Sequence, residues 1–282
     1  MTWQQWLTQA AARLRVSLSP SAKRDAEILL AQVIGATRTR LLAFGETPLT
    51  DAQRATLDML LARRERGEPV AYLIGEREFW SLRLRVSPDI LIPRPDTECL
   101  VQRALALLPP DRAEVLDLGT GSGAIALALA SERPTWRITG VDRSPNSVTI
   151  ARDNAARLGL NNVEFHESDW FKALHAQRYS LIVSNPPYIE ADDPHLVQGD
   201  VRFEPRKALV AGGGGLKDLA AICQGAGRHL LPGGWLLLEH SWRQGAAVRT
   251  MLVDAGFSQT ATLRDYGDNE RVSQGQRLPE EK

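Results

Sequence analysis

The sequence predicts an α/β chain: a small all-helical region, a β-hairpin linker, and then a doubly wound, mostly parallel sheet. Three observations predict it. Apolar residues recur at helical spacing through residues 1–75. The period changes to two between Glu78 and Val86, where Leu82, Leu84 and Val86 alternate with Arg83 and Arg85. Beyond Pro109-Pro110, short apolar runs alternate with helical stretches, the order that yields parallel strands joined by right-handed crossovers. The expected boundaries are 1–75 for the helices, 76–95 for the hairpin and linker, and 96–282 for the sheet domain.

The helical region begins with Trp3, Trp6, Leu7, Ala10 and Leu14 on one face, followed by Ala26, Leu29, Leu30 and Val33. Ser19-Pro20 and Gly35 bound the second segment. Thr50 with Gln53 forms a capping box for a helix bearing Leu57, Leu60 and Leu61, and Gly67 closes it. These stripes read as core. Arg63, Arg64 and Arg66 read as a solvated last turn that complements the helix dipole. The prolines of Ile92-Pro93-Arg94-Pro95-Asp96-Thr97-Glu98 stiffen the domain boundary. That stretch is either a rigid N-terminus for a helix from Thr97 to Leu108 or the wall of a site, and its residues alone favour neither.

In the second half, Val115-Leu116 opens a buried strand that ends at Asp117-Leu118-Gly119-Thr120-Gly121-Ser122-Gly123. A helix over 124–130 follows, then a strand from Arg137 to Val141 closed by Asp142. A helix over 147–158 leads to a third strand at 163–165 and to Ser168-Asp169-Trp170-Phe171. The fourth strand is Leu181-Ile182-Val183, and Trp235 to Leu238 is the fifth, ending at Glu239-His240. Residues 257–277 add an antiparallel pair at one edge, and Gly212 to Gly215 reads as a flexible loop.

Composition narrows the function classes. Lys+Arg and Asp+Glu each total 34, so the net charge is zero, which argues against long polyanionic partners. Cys99 and Cys223 lie far apart without metal-ligand spacing, so reduced, inert thiols are expected. The N-terminus lacks a basic-then-apolar pattern, and no apolar run approaches the ~20 residues that span a bilayer. A soluble, cytoplasmic chain is the expectation, with no metal site.

Two motifs carry chemistry. Gly119 and Gly121 with Ala124 fit a nucleotide-binding turn, and Asp142 fits the acid that takes a ribose diol. That pattern alone does not separate a dinucleotide from S-adenosyl-L-methionine. Asp117 stands where a pyrophosphate would be repelled but a sulfonium and an ammonium attracted, by ~4 kcal/mol at 4 Å for an effective dielectric near 20. It could instead cap the turn. The dense glycines, with Thr120 and Ser122 between them, suit close backbone approach to an amino-acid moiety. Asp169 and Trp170 are placed to flank an adenine.

The second motif is Ser184-Asn185-Pro186-Pro187-Tyr188. Two prolines end a buried strand abruptly. Asn185 Oδ1 and the Pro186 carbonyl can accept both hydrogens of one planar NH2, while Tyr188 stacks behind it. Such a pair suits a conjugated amine, whose delocalisation is reflected in an amide rotation barrier of ~18–20 kcal/mol. Drawing both N–H bonds out of plane aims the nitrogen lone pair at a methyl group. The same dipoles stabilise the positive charge that develops there. His240 reads as a packed edge residue. In a doubly wound sheet, the ends of the first and fourth strands are neighbours at the switch point, so the two motifs share one crevice.

The chain closely resembles the HemK-type protein-(glutamine-N5) methyltransferases of peptide chain release factors over nearly its whole length. The resemblance rests on Phe79-Trp80-Ser81-Leu82, the Ile92–Glu98 stretch, Leu116 to Gly123, Asn185 to Ile189, Val201-Arg202-Phe203-Glu204-Pro205, and 264–271. It implies a seven-stranded Rossmann-like class I methyltransferase domain behind a helical substrate-recognition domain. It also implies S-adenosyl-L-methionine as donor, S-adenosyl-L-homocysteine as product, and the glutamine of a Gly-Gly-Gln motif in class-1 release factors as substrate. Gly119, Thr120, Gly121, Ser122, Gly123, Asp142 and Trp170 would hold the donor. Asn185, Pro186, Pro187 and Tyr188 would hold the glutamine, with Asn185 also facing the donor. The same Asn-Pro-Pro-Tyr device resembles that of methyltransferases acting on exocyclic amines of nucleic-acid bases. That rival lacks a basic, aromatic reading surface here. A worn, non-catalytic relative would have lost Asn185 or a loop glycine, and neither is lost. A monomer is expected.

Overall fold

The computed structural model describes residues 1–279. The chain divides into two compact units, Met1–Glu76 with Pro194–Phe203, and Arg77–Asp193 with Glu204–Lys282.

The first unit is helical: α1 (Trp3–Val16), α2 (Ala22–Ile34), α3 (Arg38–Ala43), α4 (Asp51–Glu65) and α5 (Val70–Ile74). Thr2 with Gln5 and Thr50 with Gln53 form full capping boxes on α1 and α4, each satisfying two orphan N–H groups of a first turn. Trp6, Leu14, Leu29, Leu30, Leu57 and Leu61 form its core. One expectation fails here. Arg64 is buried rather than solvated, with Nε 2.8 Å from Asp25 Oδ2 and Nη1 2.9 Å from Asp200 Oδ1. A guanidinium can leave water only when carboxylates replace its hydration, and Asp200 comes from a segment too distant in sequence for helical periodicity to reveal.

The second unit opens with the hairpin β1 (Glu76–Phe79) and β2 (Leu82–Arg85). A 3-10 turn at Pro95–Thr97 leads into α6 (Glu98–Leu107), then β3 (Glu114–Leu118), α7 (Ala124–Glu132), β4 (Arg137–Asp142), α8 (Pro145–Leu158) and β5 (Val163–Glu167). β6 (Tyr179–Ser184), the short α9 (Arg206–Leu209), α10 (Lys217–His229), β7 (Leu230–Glu239), α11 (Gly245–Asp254), β8 (Phe257–Arg264) and β9 (Glu270–Arg277) complete it. The seven-stranded sheet has the order β5-β4-β3-β6-β7-β9-β8. β3 to β7 pair in parallel, while β9 is antiparallel to both β7 and β8.

The central strands are apolar throughout because helices cover both faces. Val115, Leu181, Val183 and Leu237 enter one apolar layer, and their alternates Leu116, Ile182, Leu236 and Leu238 enter the other. β7 begins at Leu230, earlier than Pro232-Gly233-Gly234 suggested, with an irregular register between Tyr179 and Leu181 absorbing the proline. β3 lies between β4 and β6, so the chain reverses its winding there. Among the described residues, no helix is long and apolar enough to cross a membrane.

Candidate active site

A cleft opens at the carboxyl ends of β3, β4, β5 and β6, about 670 Å³ with the open solvent of its mouth counted. Gly119, Gly121, Asp142, Asp169, Trp170, Asn185 and Pro187 line it. Ile90, Ser144, Ser147, Ser168 and Lys207, which motif reading did not single out, line it as well.

One wall is a backbone turn. Gly119 and Thr120 N–H groups donate to the Val141 carbonyl at 2.8 and 2.9 Å, folding the chain back over β4. Gly121 has φ +57°, and a Cβ there would meet nothing within 4 Å, only the cavity. Gly121 N–H donates to Asp142 Oδ2 at 3.0 Å and Ser144 N–H to Oδ1 at 2.8 Å. Those bonds fix the carboxylate and leave lone pairs on both oxygens. Asp117, Thr120, Ser122 and Gly123 lie beneath this wall, outside the cavity lining. Asp117 is fully buried, and its Oδ2 accepts from Thr120 Oγ1 at 2.6 Å and from Ala126 N–H at 3.3 Å. This is the turn-capping geometry. Its Oδ1 has no hydrogen-bond partner. Burial, against the pull of those two donors, raises its pKa to about 7.

Trp170 adopts φ +51°, a costly conformation for an aromatic residue. Ser168 holds it there: its hydroxyl donates to the Trp170 carbonyl at 2.7 Å and accepts from Ala173 N–H at 3.0 Å.

The opposite wall is built from side chains. Ser184 Oγ donates to the Leu118 carbonyl at 2.7 Å, and Leu118 pairs with Ser184 in register. The glycine turn and Asn185 are therefore adjacent. Asn185 Nδ2 donates to Thr97 Oγ1 at 3.3 Å, which leaves Oδ1 as the free end of the amide. The Ile92–Glu98 stretch opens α6, as its helix-start reading expected, and its buried Thr97 also touches the motif. The buried Glu204 fixes that stretch by accepting from Ile92 N–H at 3.1 Å and pairing with Arg94.

Pro186 is buried, and Tyr188 is anchored by its hydroxyl, 3.2 Å from Glu239 Oε1. Burial and the neighbouring Glu239 push the Tyr188 pKa up. Gln244 Nε2 donates to the Tyr188 carbonyl at 3.0 Å. Gly215, expected in a flexible loop, presses on the same carbonyl, and a Cβ there would lie 2.2 Å from it. The loop is a fitted part of the motif's support. His240 is buried against Ser273 Oγ at 2.8 Å, and both cysteines are buried, their thiols pushed up to about 12 by burial.

The chain matches the family described as PrmC N-terminal domain over residues 5–75 and a methyltransferase domain family over residues 110–270. It is 58% identical to a release factor glutamine methyltransferase from Salmonella typhimurium, covering 99% of this chain and 100% of that one. The chain belongs to the release factor glutamine methyltransferases. Relatives of the same name from Escherichia coli and Pseudomonas aeruginosa are 58% and 56% identical, covering 98% and 92% of this chain and 99% and 94% of theirs. In fold it is similar to a methyltransferase from Pyrococcus furiosus (TM-score 0.54, 17% identity, 81% of this chain and all of that one). It is also similar to a T. thermophilus 16S rRNA methyltransferase in complex with AdoMet and guanosine (TM-score 0.54, 22% identity, 72% and 49%).

S-adenosylmethionine is the cofactor of this family, and the cavity fits it. The side-chain-free wall at Gly119 and Gly121 is a cradle that any Cβ would narrow, and the buried Asp117 stands behind it with Oδ1 unpartnered. When bound, the group supplies an electrophilic methyl on a cationic sulfur.

Proposed function

We propose that this release factor glutamine methyltransferase binds S-adenosylmethionine between the glycine turn, Asp142, Asp169 and Trp170. Asn185, Pro186 and Tyr188 then present the Gly-Gly-Gln side-chain amide nitrogen of class-1 release factors. The observation that carries this reading is the orientation of Asn185. Asn185 lines the cavity and its Nδ2 is engaged by Thr97, which leaves Oδ1 as the acceptor on offer. The Pro186 carbonyl supplies a second acceptor, and no N–H at Pro187 competes for the same space. Together they take both hydrogens of a primary amide and hold its nitrogen in line with the methyl group. Orientation and preorganised dipoles do most of the work. No general base is required, since a methylated, protonated amide nitrogen loses its proton readily to water.

Further parts of the proposal concern partners and place. The helical unit recognises the release factor. It includes Pro194–Phe203, the excursion that leaves the chain just after the Asn-Pro-Pro-Tyr motif and returns at Glu204. The enzyme acts in the cytoplasm as a monomer, and nucleic acid is not its direct substrate, in keeping with the zero net charge.

The test uses methyl-labelled donor with purified release factor, with a release factor carrying alanine for the motif glutamine, and with ribosomal RNA. Label confined to the unaltered release factor is the expected result. Label in the RNA alone would overturn the reading.

A further inference from the structure

Behind the acceptor wall lies a buried carboxylate that the chemistry described so far does not use. Glu239 ends β7, one residue beyond the Ser184–Leu238 register pair, so it stands beside Asn185 across the sheet. Its side chain is 1% exposed. Tyr188 donates to Oε1, and Thr97 favours the charged form of the same carboxylate. Oε2 has no hydrogen-bond partner, while the Thr97 hydroxyl accepts from Asn185 and keeps its own proton uncommitted. Thr97 touches the substrate-holding motif, and Tyr188 belongs to it.

We propose that Glu239 is a positioning residue for methyl transfer: acting through the Thr97 hydroxyl, its carboxylate fixes which end of the Asn185 amide faces the substrate. The proposal rests on the reading of the site given above and adds the cause of the Asn185 orientation.

Hydrogen-bond polarity is the proposed cause. A hydroxyl both donates and accepts, so Thr97 on its own could satisfy either end of the Asn185 amide. An ionised carboxylate only accepts. With Glu239 drawing the single Thr97 hydroxyl proton, only lone pairs remain for Asn185, and they select Nδ2. The chain Asn185 Nδ2–H to Thr97 Oγ1–H to Glu239 thus has one direction. It leaves Asn185 Oδ1 for the substrate NH2. Reversing it would offer a donor to a donor. Tyr188 gives the same carboxylate a second hold on the motif, and short polarised chains in a low-dielectric interior reinforce one another.

The direction depends on charge. Burial raises the Glu239 pKa to about 7, while Thr97, Arg271 and Tyr188 pull it down and Asp96 pushes it up. Arg271 is itself held by Asp265, with Nε 3.0 Å from Oδ2, and faces Asp96 at 3.7 Å. Cys99, its thiol neutral up to about 12, and Arg94, which acts on Tyr188, complete the surrounding groups. A group poised near neutrality makes the orientation of Asn185 responsive to pH around 7.

The decisive experiment compares wild type with Glu239→Gln, Thr97→Val, Thr97→Ser and the Glu239→Gln/Thr97→Val double variant, using release factor as substrate. Glutamine is isosteric with Glu239 but carries donors, so it removes the tie-break and little volume. Expected is a fall in kcat of about 10- to 100-fold for Glu239→Gln and Thr97→Val, the scale of a misplaced reacting group. Thr97→Ser retains activity, and the double variant is no worse than either single one. Wild-type kcat rises as pH passes through about 7, and the Glu239→Gln profile is flat. The Kd for S-adenosylhomocysteine, measured by calorimetry, stays within about threefold in every variant, since the donor wall is untouched.

Wild-type kcat and pH dependence in both single variants would overturn the proposal, as would additive losses in the double variant. Should Glu239→Gln fail to fold, as its melting transition would reveal, the contrast between Thr97→Val and Thr97→Ser decides. A wild-type enzyme that does not label glutamine refutes the functional reading. A labelling enzyme indifferent to Glu239 and Thr97 refutes only this inference.

Discussion

The donor wall and the acceptor wall each rest on one buried carboxylate at a strand end, Asp117 on β3 and Glu239 on β7. Both are inaccessible, both have an oxygen without a hydrogen-bond partner, and burial raises both to about 7. Their surroundings differ. Asp117 is held within its own turn, by Thr120 and by the amide of Ala126, nine residues on. Glu239 accepts from Tyr188, and Thr97 and Arg271 favour its charge, so three separate stretches of chain act on it. The donor wall is a local structure that one stretch of sequence nearly completes. The acceptor wall exists only when distant segments converge. Substitutions should therefore divide by readout, with donor-side changes moving affinity and acceptor-side changes moving turnover.

The largest effect expected is at Asn185. Asn185→Ala removes one acceptor of the transition-state charge and leaves the glycine turn intact. A loss in kcat of about 10²–10³-fold is expected, the cost of one preorganised hydrogen-bonding group. Affinity for S-adenosylhomocysteine by calorimetry should change little. A variant that keeps wild-type turnover would erase the distinction between the walls.

Stability gives the next test. The folded chain keeps protons on Asp117 and Glu239 up to about pH 7, whereas unfolded carboxyls release theirs near 4. In that window the native state binds more protons than the unfolded one, so stability falls as pH rises and is greatest below it. The expected decline for the pair is on the order of a few kcal/mol, read from urea midpoints across the window. A rise in stability contributed by these two groups would mean they are ionised in the native state. Asp117→Asn and Glu239→Gln should each flatten part of the slope.

The same contrast explains what the sequence disclosed. The glycine turn, Asp142, the ends of the buried strands and the antiparallel edge pair could be read because their determinants are local: spacing, periodicity and chain-breaking prolines. The place of Asn185 at the end of a buried strand was legible, but not which way its amide points, because Thr97 lies in a segment that a capping argument explains equally well. Gly215 looked like slack, since only folding brings it against the Tyr188 carbonyl. Arg64 looked solvated because its partner Asp200 is remote in sequence. Glu239 carried no signal beyond closing a strand. Sequence patterns report what a residue's own element requires, and these four positions are set by other elements.

On the donor side, Asp142→Ala should weaken S-adenosylhomocysteine binding by about tenfold, the value of one charge-assisted hydrogen bond. It also removes the acceptor for the Gly121 and Ser144 amides. Unchanged affinity would move the ribose contact elsewhere. The smallest effect tests Asp117 itself. A cationic donor bound against the turn lowers the pKa of a carboxyl poised near 7, so binding at about pH 6.5 should release a fraction of one proton. Calorimetry in buffers of different ionisation enthalpy measures that fraction, and Asp117→Asn should abolish it. Release that persists in Asp117→Asn would assign the proton to another group and leave Asp117 a purely structural cap. Release that vanishes would show that the local wall also senses the charge of its ligand, as the distant-built wall is proposed to sense pH through Glu239.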